Sequence, residues 1–218
     1  MKNNSKKFSF ITFEGGEGAG KTTLIQQIQK FLEKQGNEVV STREPGGSHL
    51  GETVRQWLLF KHTDMQISPR SELMLFLASR AQHVEEIIKP ALAANKIVLC
   101  DRFNDSTIVY QGIARGLGLD KVQNLCEFAC DGVLPNLTFF LDVDPVEGLR
   151  RCRGVAKEHV RAGELDRIET EKLEFHQKVR EGMQLLARKY PERIRVLDAN
   201  QPQEAVLEQT LKFLENWG

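Results

Sequence analysis

Residues 15 to 22 carry the clearest chemical motif in the chain. They match the pattern G-x-x-x-x-G-K-[ST] and stand between an apolar run and an amphipathic segment, the context in which this pattern forms a phosphate-binding loop. Glycines let backbone N–H groups approach phosphate oxygens, and the N-terminus of the following helix adds partial positive charge. The final lysine and threonine suit the terminal phosphates and Mg²⁺. The predicted nucleotide-binding residues are Gly15, Gly16, Glu17, Gly18, Ala19, Gly20, Lys21, Thr22 and Thr23.

The segment around Asp101 narrows the type of nucleotide-binding protein. A GTPase would carry a guanine-reading Asn-Lys-x-Asp pattern, whereas the pair Asn95-Lys96 is followed by Ile and Val. Asp101 ends a buried strand, where many ATPases place the carboxylate that binds magnesium. Arg102 follows directly, and its planar guanidinium suits a second phosphate in the same cleft. Asp101 and Arg102 together favour a kinase whose acceptor is itself phosphorylated. The alternative for Asp101 is that it only caps the end of the strand.

A second basic feature lies between residues 150 and 167. The phosphate-binding loop has Glu17 and Ala19 at positions where some nucleotide kinases carry arginine, so the cation for the transferred phosphate must come from elsewhere. The segment 150–167 contains two glycines and is rich in arginine, which predicts a flap that closes over the nucleotide. The alternative is a solvated charged surface. Its arginines are Arg150, Arg151, Arg153, Arg161 and Arg167.

Short apolar runs alternate with longer segments of helical periodicity, which indicates βαβ units. Strands are predicted at 8–14, 38–42, 97–101, 137–143 and 194–198, and helices at 21–35, 71–94, 119–130, 170–189 and 202–217. Pro90 is expected to kink the second helix, and 44–51 is expected to be a loop rich in Gly and Pro. The predicted fold class is α/β, a three-layer P-loop fold with a five-stranded parallel sheet and helices on both faces. One domain over 1–218, with the lid as an insertion, fits the length of 218 residues.

The composition argues against several other classes of protein. Thirty Lys and Arg balance thirty Asp and Glu, so the net charge does not favour nucleic-acid binding. No apolar run reaches the roughly 18 residues of a membrane-spanning helix, and the polar start predicts neither secretion nor membrane insertion. The four cysteines match no disulfide framework or zinc pattern, which favours the cytoplasm. The five histidines show no metal-binding spacing and are expected at the surface or in the core.

Four separate blocks resemble the bacterial thymidylate kinases, P-loop nucleoside monophosphate kinases, over essentially the whole chain. The blocks are 13–23 around the phosphate-binding loop; Arg43-Glu44-Pro45-Gly46-Gly47 with Gly51, Glu52 and Arg55; Asp101-Arg102-Phe103 with Ser106 and Tyr110-Gln111-Gly112; and 163–169. The resemblance implies transfer of the ATP γ-phosphate to dTMP with Mg²⁺, in a cytoplasmic homodimer. The apolar helical segments 73–84 and 122–130 are its expected contact surface.

The resemblance also implies how the acceptor is held. Phe76 would stack on thymine, and Arg80, one helical turn later, would bind the carbonyl edge of the base. Arg55 and Arg102 would grip the 5′-phosphate. Core packing is the alternative for Phe76, and a solvated surface charge is the alternative for Arg55. The remaining implied dTMP contacts are Glu17 at the 3′-hydroxyl, Gln111 at the base edge and Ser106.

On the donor side, the resemblance implies a metal site and catalytic cations. Mg²⁺ would be held by Thr22, Glu14 and Asp101, directly or through water. The implied catalytic residues are Lys21, Asp101, Arg102, Arg153 and Arg161, with Arg150 or Arg153 against adenine. The stretch between Arg153 and Gly163 is longer than in the commonest bacterial lid, which leaves the roles of individual arginines open. The loop 198–202 resembles the family's adenine-side loop, and its alternative is a plain strand-to-helix turn.

Two other functions remain open at this level. Within the same enzyme class, the acceptor could be another nucleoside monophosphate or a deoxynucleoside. From a different class, the chain could bind nucleotide without transferring phosphate. The second alternative is disfavoured because the acceptor-side set Arg55, Phe76, Arg80 and Arg102 is intact.

Overall fold

The fold is built on a five-stranded, wholly parallel sheet. The computed structural model describes residues 9–60, 66–153 and 166–216. In chain order the strands are β1 (Phe10–Gly15), β2 (Val39–Arg43), β3 (Ile97–Asp101), β4 (Leu137–Asp142) and β5 (Ile194–Asp198). Their order in the sheet is β2-β3-β1-β4-β5, which confirms the predicted α/β fold class. The strand β1 is therefore central, and it delivers the phosphate-binding loop to the middle of the sheet edge where parallel strands end.

Helices cover both faces of this sheet, as predicted. They are α1 (Lys21–Lys34), α2 (His49–Leu59), α3 (Pro69–His83), α4 (Lys89–Ala93), α5 (Asn104–Thr107), α6 (Leu119–Cys130), α7 (Pro145–Cys152), α8 (Leu173–Lys189) and α9 (Gln203–Asn216), with π-helical turns at Val84–Ile88 and Ile108–Ala114. Alternate strand residues face opposite layers because the side-chain period of a strand is two. Ile11 and Phe13 pack with α1 and α9 in one cluster, whereas Phe10 and Phe140 belong to clusters on the other face.

The predicted long helix over 71–94 is a helical run from α3 through a π-helical turn to α4. Pro90 has no N–H and its ring opposes an ordinary i→i−4 pattern. The Lys89 N–H bonds the carbonyl of Val84, five residues earlier. The helical hydrogen-bond pattern therefore widens just before Pro90, the residue at which the sequence predicts a kink.

Two helices lie where the sequence predicts loop or flap. The segment predicted as a loop over 44–51 ends early, because α2 begins at His49 after Ser48 caps it by accepting a hydrogen bond from the Gly51 N–H. The helix α7 begins at Pro145, with Asp144 as its N-cap. Arg150 and Arg151 therefore lie on a helix, and most of the predicted lid, 154–165, lies outside the described residues. Within the described part of the chain, no helix is long and apolar enough to cross a membrane.

Candidate active site

The phosphate-binding loop forms a tight turn between β1 and α1. Gly18 and Gly20 adopt positive φ angles of 66° and 89°, which glycine reaches without a Cβ penalty. The Lys21 ammonium donates to the carbonyls of Gly15 and Gly16 at 3.3 and 3.0 Å. Burial, and after it the positive charge of Arg102, lower the pKa of Lys21. The loop thus holds a desolvated cation at the N-terminus of α1, where an anion is most strongly stabilised.

The loop rests directly on the backbone of α7. A Cβ on Gly148 would lie 2.3 Å from the carbonyl oxygen of Glu17, and one on Gly18 would lie 2.1 Å from the carbonyl oxygen of Gly148. Neither position has room for a side chain. This close approach places Arg150 and Arg151, which follow Gly148 on the same helix, beside the phosphate-binding loop.

Thr22 and Asp101 meet at the mouth of the loop. The Thr22 hydroxyl donates to the Asp101 carboxylate at 2.9 Å, although the two residues come from different elements. The described residues contain no cluster of three or more His, Cys, Asp or Glu side chains that could hold a metal alone. Mg²⁺ commonly takes one or two protein oxygens and completes its shell with water and substrate phosphates. The hydroxyl and carboxylate therefore fit that ion in its usual setting.

Arg102 occupies the centre of the site in an unusual backbone conformation. Its φ is +67°, a left-handed value that is uncommon outside glycine and often marks a functional position. The guanidinium donates to the Gly15 carbonyl at 2.9 Å, to the Ser106 hydroxyl at 3.2 Å and to the Glu17 carboxylate at 2.7 Å. It also lies over the Tyr110 ring, 5.0 Å from the centroid. Four contacts fix the direction of this cation.

The carboxylates of Glu17 and Glu14 lie close to Arg102, but their pKa values shift in opposite directions. Burial opposes ionisation of Glu17, yet Arg102 and Lys21 outweigh it and lower the pKa of Glu17 to about 2. Burial and the nearby Asp105 instead raise the pKa of Glu14 to about 7. Glu14 accepts hydrogen bonds from the Phe103 N–H at 2.8 Å and from the Ser106 hydroxyl at 2.5 Å. It therefore holds the turn that carries Arg102.

A smaller cavity adjoins the phosphate cleft, and the two share lining residues. The main cleft of about 1440 Å³ includes the phosphate-binding loop, Asp101, Arg150 and Arg151. The smaller cavity is lined on one side by Phe76 and Arg80 and on the other by Ser106, Tyr110 and Gln111. The shared residues are Glu17, Glu44, Arg55, Leu59, Arg102 and Asp166. The junction is thus lined mainly by charged groups, and the rest of the smaller cavity combines aromatic rings with Arg80 and Gln111.

Arg80 is fully buried in this smaller cavity wall, with 1% of its surface exposed. Its Nε and Nη2 donate to the same oxygen of Glu44 at 2.8 and 2.6 Å. Glu44 also bonds the His83 ring at 2.9 Å, and the second ring nitrogen bonds the Thr42 hydroxyl at 2.7 Å. Although burial opposes the charged form, Glu44 raises the pKa of Arg80. The guanidinium is therefore charged and fixed in orientation.

Arg55 and the arginines near the lid occupy different parts of the cleft. Arg55 lies on α2 and donates to the Pro45 carbonyl at 2.8 Å, and it lines both cavities. Arg150 pairs with Glu147 at 2.7 Å, and Arg151 donates to the Ala199 carbonyl at 2.9 Å in the adenine-side loop predicted at 198–202. Arg153 is exposed after α7. Arg161 lies outside the described residues.

The structure brings together most of the predicted set and adds residues that sequence reasoning missed. Glu44 lines both cavities and bonds Arg80 and His83. Glu72 bonds Gln111, and Tyr110 donates to Glu17 at 2.9 Å. Glu44 and Tyr110 stand inside the blocks that carry the family resemblance, so their position offered a signal. His83 and Glu72 sit on α3 among apolar residues, and only the fold shows their partners.

The fold and site define a P-loop nucleotide kinase, in which Arg55 and Arg102 lie between the phosphate-binding loop and a smaller cavity. The sequence model of the thymidylate kinase family matches residues 13–210. The chain is 53% identical to the thymidylate kinase of Protochlamydia amoebophila over 99% of this chain and 96% of that protein. It is 51% identical to that of Chlamydia trachomatis serovar D, over 93% of this chain and 96% of that protein.

A solved structure agrees with these sequence comparisons. The crystal structure of thymidylate kinase from Ehrlichia chaffeensis matches with a TM-score of 0.73 and 38% identity, covering 94% of this chain and 97% of that chain. The chain belongs to the thymidylate kinase family.

Proposed function

We propose that the enzyme transfers the γ-phosphate of ATP to dTMP, giving dTDP and ADP. The observation that carries this proposal is the placement of Arg55 and Arg102 at the junction of the two cavities. Two phosphorylated substrates must meet there with their phosphates facing each other. Guanidinium groups at that point neutralise the charge of both while leaving the base end of the acceptor in the cavity behind.

ATP binds through the phosphate-binding loop in this proposal. Backbone N–H groups of residues 15–20 and the Lys21 ammonium contact the phosphates, and Thr23 follows at the start of α1. Arg150 and Arg151 lie on the adenine side, and Arg151 donates to the Ala199 carbonyl. Thr22 and Asp101 hold Mg²⁺, which shields phosphate charge when it is bound. Glu14 contributes by holding Ser106 and the turn of Arg102, since both of its oxygens accept protein hydrogen bonds.

The acceptor dTMP occupies the smaller cavity. Its 5′-phosphate contacts Arg55, Arg102 and Ser106, and its sugar hydroxyl faces the ionised Glu17. Phe76 packs on the face of the base, and Arg80 and Gln111 bind its polar edge. The nucleophile is a phosphate oxygen that is already ionised, so the reaction needs no general base. Rate enhancement comes from alignment and from Lys21, Arg102 and a lid arginine, either Arg153 or Arg161, that balance charge during transfer.

A homodimer in the cytoplasm completes the proposal. Phe128 on α6 is 87% exposed and Met74 on α3 is 53% exposed, and contiguous patches of exposed apolar side chains mark interfaces. These two helices contact each other and contain the segments that the sequence predicts for self-association. The four buried cysteines are free thiols, which agrees with a reducing compartment.

The proposal is tested by acceptor competition with the purified protein. ATP and Mg²⁺ are supplied with dTMP, dUMP, dCMP, AMP or thymidine, and ADP formation is followed. We expect dTMP to give the highest kcat/KM. A higher value for dUMP, dCMP, AMP or thymidine would contradict the assignment, and nucleotide binding without any transfer would support a non-catalytic protein.

A further inference from the structure

Behind the cavity that holds the base in our proposal, one buried carboxylate organises several donors. Glu72 lies in the first turn of α3 and is 1% exposed. It accepts hydrogen bonds from the Gln111 amide nitrogen at 2.8 Å, from Arg115 at 3.1 and 3.3 Å, and from Arg167 at 2.5 Å. The spacing of four places Glu72, Phe76 and Arg80 along one face of the helix. Glu72 is thus part of the wall that carries the base-binding residues.

Glu72 is a carboxylate that can only accept hydrogen bonds. Burial opposes its ionisation, but hydrogen bonds from Arg115 and Gln111 and the charge of Arg167 outweigh it and lower the pKa of Glu72. An ionised carboxylate has no proton to donate. The Gln111 side chain must therefore turn its NH₂ group toward Glu72, because the opposite orientation would bring two acceptors together.

This constraint determines which atom Gln111 offers to the cavity. Gln111 lines the cavity, and its amide nitrogen donates one of its two N–H groups to Glu72. No donor among the described residues reaches its amide oxygen. That oxygen is also not sealed off, since the fully buried side-chain atoms without a partner in this part of the chain belong to Asn104 and His176. The oxygen therefore opens on the cavity as a hydrogen-bond acceptor.

We infer that Glu72 is a specificity-determining positioning residue, which holds Gln111 so that the cavity presents an acceptor to the base. This inference rests on the proposed binding of the base by Gln111. A thymine or uracil edge carries an N3–H donor beside its carbonyl oxygen, which complements the Gln111 oxygen and the Arg80 donors. Cytosine has an unprotonated N3 and an amino group there, so both contacts place like groups together. Glu72 therefore excludes cytosine nucleotides without touching the substrate.

The test is the substitution Glu72→Gln, read as the ratio of kcat/KM for dTMP to kcat/KM for dCMP. A glutamine at position 72 can donate to the Gln111 oxygen, which allows the Gln111 amide to turn over. We expect the ratio to fall by about tenfold or more, since an unpaired or opposed polar group is costly in a closed site. A merely structural role would lower both activities together and leave the ratio unchanged.

Three further variants isolate the mechanism. Arg115→Gln removes two donors from the same carboxylate but leaves it an acceptor, so the ratio should stay at the wild-type value. Gln111→Leu should lower the ratio as Glu72→Gln does. Adding Glu72→Gln to Gln111→Leu should change it no further, because the two residues act in series.

The outcomes separate the inference from the proposed function. A folded Glu72→Gln protein with the wild-type ratio, alongside a lowered ratio in Gln111→Leu, would overturn the role of Glu72 only. An unchanged ratio in Gln111→Leu would overturn the binding of the base by Gln111, and with it this inference.

If Glu72→Gln does not fold, the side-chain NH₂ signals of ¹⁵N-labelled wild-type protein provide the test. The Gln111 signals are assigned by comparison with Gln111→Leu. Slow hydrogen exchange of these protons, both before and after dTMP is added, supports an NH₂ group that stays bonded to Glu72. Fast exchange that becomes slow only when dTMP is added would show that the NH₂ bonds the base instead, and would overturn the inference.

Discussion

The guanidinium of Arg102 donates to the carboxylate of Glu17 over 2.7 Å, joining the residue after β3 to the phosphate-binding loop. The pair is nearly buried, with 16% and 17% of the two side chains exposed. Partial removal from water strengthens the interaction between opposite charges and lowers the pKa of Glu17 to about 2. The same contact fixes the two side chains relative to each other.

Replacement of Arg102 by lysine tests how much the planar guanidinium, rather than its charge, contributes to activity. Lysine keeps the charge but loses the planar fork that reaches Gly15, Glu17 and Ser106 together. We expect kcat/KM for dTMP to fall by about 100-fold or more. Steady-state kinetics measure the effect, with Arg188→Lys on the exposed side of α8 as the control. Near-normal kinetics in Arg102→Lys would show that point charge alone suffices.

Gly148→Ala should disturb the phosphate-binding loop from outside. The added methyl would lie 2.3 Å from the Glu17 carbonyl oxygen, so the loop or α7 must move. We expect the KM for ATP to rise, kcat to fall by about tenfold, and stability to drop by about 1–3 kcal/mol. Val146→Ala, at a 60% exposed position of the same helix, is the control. Unchanged ATP kinetics in Gly148→Ala would indicate that the loop is not held by this contact.

Glu14 should give the stability of the protein a specific pH dependence. Its pKa is raised from 4.5 to about 7 in the folded state, so between these values the folded chain binds a proton that the unfolded chain releases. Stability from this group is present below pH 4.5 and is lost as the pH rises to about 7, a change on the order of 2 to 4 kcal/mol. Glu14→Gln should remove that loss.

Urea unfolding of wild-type protein and Glu14→Gln at pH 5 and pH 8 measures the difference. The free energy of unfolding of Glu14→Gln, relative to that of the wild type, should be higher at pH 8 than at pH 5. Parallel pH profiles would mean that Glu14 has an ordinary pKa in the folded protein.

The lid arginines should affect phosphate transfer more than acceptor binding. We expect Arg153→Ala or Arg161→Ala to lower kcat by more than it changes dTMP affinity, because a contact made in the transition state is expressed in kcat. Kinetics and equilibrium binding of dTMP separate the two quantities. An unchanged kcat in both variants would show that another residue supplies the catalytic cation. Arg150 and Arg151 on α7 would then be the next candidates, since both line the cleft beside the phosphate-binding loop.

The sequence by itself determined the fold class and the chemistry of the phosphate cradle. Both depend on contiguous signals: the alternation of apolar runs predicts β1 to β5, and the motif from Gly15 to Thr22 is local. Boundaries were also accurate where a local stop signal exists, as for Ile97–Asp101 and Leu119–Cys130. The π-helical turn before Pro90 lies where the missing N–H of proline predicts an irregular helix.

Only the tertiary structure decided how the buried charges are paired. Glu72 and Gln111 are separated by 39 residues, and Glu44 and Arg80 by 36. No periodicity predicts such partners, because burial and charge balance arise when distant elements pack. From the sequence, His83 is one of several histidines without a metal pattern, and Glu72 is a charge on a helix. The fold makes the first a buried link to Glu44 and the second the group that orients Gln111, since a buried donor or acceptor must find a partner within the protein.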